Sequence, residues 1–127
     1  MYQKTVLPNG VRIISERLPH VRSVTLGAWF EVGSRLEEPH EWGMSHFVEH
    51  MMFKGTANFS AQDIAEIMDQ RGGHLNAFTE KEQTCYYFKV LDEHFSTAAA
   101  LLQDMLLNSL FLPEDVEKEK NVVLEEL

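Results

Sequence analysis

The spacing of apolar positions switches between alternation and helical periodicity along the chain, and each switch marks an element. Residues 2–7 and 11–16 are short β-type runs on either side of Pro8-Asn9-Gly10, and Asn-Gly between two such runs predicts a hairpin. Across residues 23–33, Val24, Leu26, Ala28, Phe30 and Val32 alternate with Ser23, Thr25, Gly27, Trp29 and Glu31, which predicts a third strand with one buried face. Residues 74–79 and 82–91 read as an antiparallel pair joined at Glu80-Lys81. Between the strands the period lengthens. In residues 42–53 the apolar side chains Trp42, Met44, Phe47, Val48, Met51, Met52 and Phe53 cover nearly every direction of a helical projection, so a buried helix is expected, with Lys54 and Gly55 as its stop signals. Ser60 with Asp63 opens a second helix in capping-box fashion, and Gly72-Gly73 ends it. A third runs from a cap at Asp92 to about Leu110 with a wide apolar face. Pro113, followed by Glu114 and Asp115, starts the last. The elements predict one α+β domain, residues 1–127: a mainly antiparallel sheet of about five strands with helices packed on one face. Hairpin-linked early strands disfavour a parallel sheet.

Composition narrows the partners. At 127 residues and 44% hydrophobic, the chain suits a single core. A net charge of −9 excludes nucleic acid as the expected partner and fits basic peptides better. With no run of 18 apolar residues, no membrane span is expected. Cys85 is the single cysteine, so an internal disulfide is impossible, and it reads as a small core hydrophobe. The first residues lack both an apolar leader and an Arg-rich presequence, which makes the cytoplasm the expected location.

The chemistry begins where polar groups interrupt the greasy helix at His46, Glu49 and His50. Positions four apart on a helix are neighbours, so the two imidazoles can converge on one ion, with Glu49 about one turn from His46. Buried imidazoles and carboxylates cost several kcal/mol unless paired or ligated, and a metal would account for all three groups. A third ligand is available in the last helix, where Glu119, Val122, Val123 and Glu126 recur at helical spacing, so two carboxylates share the apolar stripe. Glu125 falls on a row with Lys118 and Asn121 and reads as solvated. Two histidines and one carboxylate make a metal site with a fourth position left open.

These residues sit in recognisable surroundings. GMSHFVEHMMFKGT, residues 43–56, resembles the inverted zinc motif of the pitrilysin and insulinase-type metallopeptidases, in which His-x-x-Glu-His replaces His-Glu-x-x-His. GGHLNAFTEKEQTCYY, residues 72–87, resembles that family's substrate-side strand. EKNVVLEE, residues 119–126, is similar to the helix that carries its second functional glutamate and its last zinc ligand. The family spacing of seven fits Glu119 and Glu126, whereas Lys118 stands seven before Glu125. The bacterial processing-peptidase branch, related to the mitochondrial processing peptidase catalytic subunit, is the nearest in flavour.

The resemblance implies one Zn²⁺ per chain held by His46, His50 and Glu126, with Glu49 as general base and Glu119 orienting a histidine or the water. It implies that a peptide adds to a sheet edge at Asn76 and Ala77. Phe53 is a candidate for lining a side-chain pocket, with core packing as the equal alternative. The expected activity is zinc-dependent endopeptidase action on extended, basic peptides. A non-catalytic peptide-binding or assembly subunit is the alternative, and the intact His46, Glu49, His50 and Glu126 set argues against it. A purely structural zinc site usually has four protein ligands and often Cys, while Cys85 is far in sequence from both ligand helices. Family members continue well past this length, so the chain is expected to be the N-terminal metal-binding part of a longer enzyme and a poor peptidase by itself. Its expected partners are then a peptide, the remaining domains and, as an assembly, a second copy in a homodimer. The resemblance adds the mitochondrial matrix as an alternative location.

Overall fold

The computed structural model describes residues 1–126. Strands β1 (Tyr2–Val6) and β2 (Arg12–Glu16) form the expected hairpin, with Val6 opposite Arg12 and the Val11 amide donating to Asn9 Oδ1 in the turn. Three further strands, β3 (Ser23–Phe30), β4 (His74–Thr79) and β5 (Thr84–Leu91), make a separate antiparallel sheet in the order β3-β5-β4. The five expected strands are therefore split between two sheets. A short connection through Pro19 turns the chain away after β2, and β3 takes its ladder from β5, far along the sequence, instead of from the preceding hairpin. A weak tie remains, because Arg12 reaches Glu31 just beyond β3 (3.3 Å).

Strand β5 is central, and its alternation sorts the two faces of the sheet. Tyr86, Phe88 and Val90 point to one side, where Leu75 and Ala77 of β4 accompany them, and the helices cover this side. Helices α2 (Ala61–Gln70) and α3 (Phe95–Asn108) supply Ile64, Met68, Ala98, Leu101, Leu102 and Met105 to the core, as their periodicity requires. On the opposite side Cys85 is buried beneath Trp29 and Phe78, whose rings meet edge to face at 5.5 Å. The expected buried face of β3 is only partly realised. Val24 and Ala28 are half-buried, but Leu26 and Phe30 remain exposed because β3 is an edge strand.

Local signals set most helix ends. Ser60 and Asp63 form the reciprocal capping box at the start of α2 (3.0 Å each way). Pro113 opens α4 (Pro113–Glu125) at its first turn. Asp92 does not cap α3. It opens a short 3-10 turn and grips Arg22 with both oxygens at 3.0 and 3.1 Å.

Helix α1 (Met44–Met51) is shorter than the apolar run and less enclosed than expected. Only Met51 is fully buried, and Trp42 is 74% exposed, because Gly43 enters the helix at φ +90° and breaks the register between Trp42 and the helix. Gly33 has a different task. Its backbone passes so close to the β4–β5 turn that a Cβ would lie 2.3 Å from the Glu80 carbonyl oxygen, and the Arg35 amide donates to the Lys81 carbonyl at 2.8 Å. That contact ties the segment leading into α1 to the end of β4. Helix α4 lies against α1, and α1 also packs on β4.

Candidate metal centre

The position of α1 is set from its first turn. Glu37, in the charged run before the helix, accepts hydrogen bonds from the Gly43 amide (2.9 Å) and the Ser45 amide (2.6 Å), filling donors that a helix start leaves unpaired. Desolvation pushes the Glu37 carboxyl up, and the hydrogen bonds from Ser45 and Gly43 outweigh it, so its pKa lies below the ordinary 4.5. Nothing in the local sequence marked Glu37, since it caps from outside the usual N-cap position.

One turn apart on α1, His46 and His50 bring their Nε2 atoms to 3.1 Å. Glu126, at the C-terminal cap of α4, places Oε2 3.2 Å from His46 Nε2 and 3.3 Å from His50 Nε2. These three are the only His, Cys, Asp or Glu side chains among the described residues that gather closely enough to share an ion. The three atoms form a nearly equilateral triangle. Zinc at about 2.0–2.1 Å from each of three tetrahedral ligands would set them roughly 3.3 Å apart, and the observed edges fit that spacing.

Glu119 stands behind the triangle. Its Oε2 lies 2.9 Å from His50 Nδ1, the ring nitrogen that faces away from His46, and its side chain is only 6% exposed. With Nδ1–H donating to this carboxylate, His50 Nε2 presents a lone pair toward Glu126, and two lone-pair atoms 3.3 Å apart need a cation or a proton between them. Lys54 Nζ holds the other Glu119 oxygen at 2.6 Å. Burial raises the Glu119 pKa, but the bonds from Lys54 and His50 prevail and hold it below the ordinary 4.5.

Glu49 is not part of the triangle. Thr79, at the end of β4, donates its hydroxyl to Glu49 Oε2 and so fixes that carboxylate against the sheet. Tyr86 lies close enough that burial, with a smaller contribution from the Glu49 charge, pushes its phenol up to about 12, which keeps it protonated.

The remaining sequence candidates are placed as follows. Asn76 and Ala77 lie on β4, an edge strand, and the Ala77 amide donates to Asn76 Oδ1 at 2.8 Å. Phe53 packs against the core and also lines a cleft of about 380 Å³ with Ile64, Met68 and Leu75. Sequence reasoning missed Lys54, Thr79 and Glu37. The local sequence marks Lys54 only as a helix stop and Thr79 only as a strand residue.

Two histidines and a carboxylate from two helices, with a further carboxylate on the same turn, are the kind of constellation on which metal-dependent hydrolases are built. Comparison with known proteins gives the particular family. Residues 12–127 match the insulinase family, peptidase family M16, and the chain belongs to it. It is 54% identical over 127 residues to the uncharacterized zinc protease YmxG of Bacillus subtilis, which covers all of this chain and 31% of that protein. It is 50% identical over 125 residues to the uncharacterized zinc protease SCO5738 of Streptomyces coelicolor, covering 98% of this chain and 27% of that one. The crystal structure of a protease from Helicobacter pylori superposes with a TM-score of 0.92 at 27% identity, covering 99% of this chain and 30% of that one. The chain thus spans about a third of the length of the relatives it matches.

Proposed function

We propose that this chain carries the zinc centre of a metalloendopeptidase, with His46, His50 and Glu126 as the ligands of one Zn²⁺. The observation that carries the reading is the triangle of ligand atoms with edges of 3.1, 3.2 and 3.3 Å, contributed by two helices far apart in sequence. When bound, zinc supplies Lewis acidity, lowering the pKa of water to about 7 and polarising a carbonyl. Glu49 takes a proton from the attacking water at its carboxylate and delivers it to the departing amine. Thr79 keeps that carboxylate oriented, and Glu119 holds His50 by Nδ1.

An extended peptide adds along the free edge of β4, where Asn76 and Ala77 offer polar backbone and little bulk. Phe53 lines a pocket for one of its side chains. The net charge of −9 favours basic peptides, as in the processing-peptidase branch of the family. Because the relatives are about three times longer, further domains would complete the substrate chamber.

Elemental analysis tests the reading. Wild type is expected to bind one zinc per chain, His46→Ala and His50→Ala to lose it, and Glu49→Gln to keep it while peptide hydrolysis falls by roughly 10²–10⁴. Equal metal in wild type and both histidine variants would sink the assignment. Loss of metal from Glu49→Gln with retention in Glu126→Gln would reverse the two glutamate roles.

A further inference from the structure

Helix α1 and the turn that follows it supply two grips on one buried carboxylate. His50 takes Oε2 of Glu119, and Lys54, four residues later, takes Oε1. The backbone joins the two grips, because the Phe53 amide donates to the His50 carbonyl (3.3 Å) and the Lys54 amide to the Met51 carbonyl (3.1 Å). The turn that carries Lys54 therefore moves with the turn that carries His50.

From this geometry we infer that Lys54 is a positioning residue for the metal centre, which sets the plane of the His50 ring, and so the aim of its Nε2, by fixing the Glu119 carboxylate. The inference rests on the metal reading proposed above. A carboxylate anchored at one oxygen can still swing about its last torsion. One anchored at both cannot. With Oε1 on the ammonium, Oε2 has a single direction, and the Nδ1–H that donates to it fixes the ring. Nε2 is then directed at the gap shared with His46 and Glu126.

Charge supports the same role. Glu49, Glu119 and Glu126 are three carboxylates around a site built for a dication, and one ammonium makes the formal sum zero. Glu119 is the most buried of the three, and a buried carboxylate without a cation is strongly unfavourable. Lys54 supplies that cation independently of zinc and is itself only part-exposed. A lysine acting merely as a tie between α1 and α4 would not need His50 on the opposite oxygen.

Zinc affinity, measured by competition with a chromophoric chelator, tests the role apart from turnover. Lys54→Met keeps most of the stem and removes the charge, and it is expected to weaken zinc binding by about 10- to 100-fold, the range typical for groups that orient metal ligands. Lys54→Arg is expected to recover most of the loss, because the contact is to a single oxygen. In a Glu119→Gln background, Lys54→Met is expected to cost nothing further, since Lys54 acts through that carboxylate. The double variant leaves no buried charge unpaired, so it answers the question even if Lys54→Met alone folds poorly. Wild-type affinity in Lys54→Met, beside lost binding in His46→Ala, would overturn the Lys54 role and leave the metal reading standing. Additive losses in the double variant would overturn it equally. Unchanged binding in His46→Ala would remove the metal reading, and this inference with it.

Discussion

Each polar residue at the centre is defined by what its second atom touches. His50 engages Glu119 with one ring nitrogen and offers the other to the triangle, and Glu49 gives one oxygen to Thr79. A hydrogen bond to a charged group contributes about 1.5–3 kcal/mol, so the Thr79 hydroxyl has considerable hold on the Glu49 carboxylate. Thr79→Val keeps the shape and removes the donor. In the full-length protein it is expected to lower kcat by roughly 10- to 100-fold while zinc content and KM stay as in wild type. A matching rise in KM would mean that Thr79 contacts substrate instead of orienting Glu49.

Among the elements, α1 is held at its start by a group outside itself. Its amphipathic run is interrupted by Ser45, His46, Glu49 and His50, so packing alone holds an eight-residue helix weakly, and Glu37 supplies the missing acceptor at its start. The Glu37 pKa is lowered on folding, so its contribution is complete above the unfolded value near 4.5 and is lost as pH falls through the folded value. Glu37→Gln is expected to cost about 1 kcal/mol at pH 7, as loss of a helix cap does, and to cost progressively less as the pH drops below about 4.5. Denaturant melts of the two proteins at pH 7 and pH 3.5 check this. A difference that persists undiminished at pH 3.5 would rule out ionised capping. A second pin acts at the other end of the helix, where the buried Asp104 of α3 accepts from Thr56 and Asn58 and holds the loop after α1. The hydrogen bonds from Thr56, Asn108 and Asn58 keep the Asp104 carboxyl below its ordinary 3.8.

For the molecule as a whole, the centre is a joint. Its three converging side chains come from α1, packed on β4, and from the end of α4, which leans on α1 and contributes only Val123 and Glu119 to the buried set. Glu126 is 47% exposed at the end of its helix, and helix ends fray. An ion bound there would link α4 to the rest, and a ligand that binds only the folded state stabilises it by about 2.7 kcal/mol at a hundredfold excess over Kd. Zinc at that excess is accordingly expected to raise Tm by roughly 5–10 °C for a chain of this size, with no shift for His50→Ala. An equal shift in His50→Ala would place the ion elsewhere. Much apolar surface lies away from the core: Trp42, Leu107, Leu124 and the side chains of the β1–β2 hairpin are all exposed.

What the chain determined by itself is what neighbouring residues decide. The hairpin at Asn9-Gly10, the capping box of Ser60 and Asp63, the start of α4 at Pro113 and the pairing of His46 with His50 all involve groups within a few positions of one another, and periodicity or hydrogen bonding over that range is readable without a fold. Periodicity also put Glu119 and Glu126 on one stripe, but nothing local could separate a group facing Nε2 from one facing Nδ1. That separation came from the approach of α4 to α1, across 69 residues for the His50–Glu119 contact. The resemblance implies Glu126 as a ligand and Glu119 as an orienting group, and the packing turns Glu126 toward Nε2 and Glu119 toward Nδ1. The division of five strands into two sheets, the Thr79 bond to Glu49 across 30 residues, and the choice of Glu119 as the partner of Lys54 were likewise settled only by tertiary structure. A lysine after a helix, or a threonine at a strand end, has the same local sequence whether it faces water or a buried carboxylate, and only the arrival of the distant element decides which.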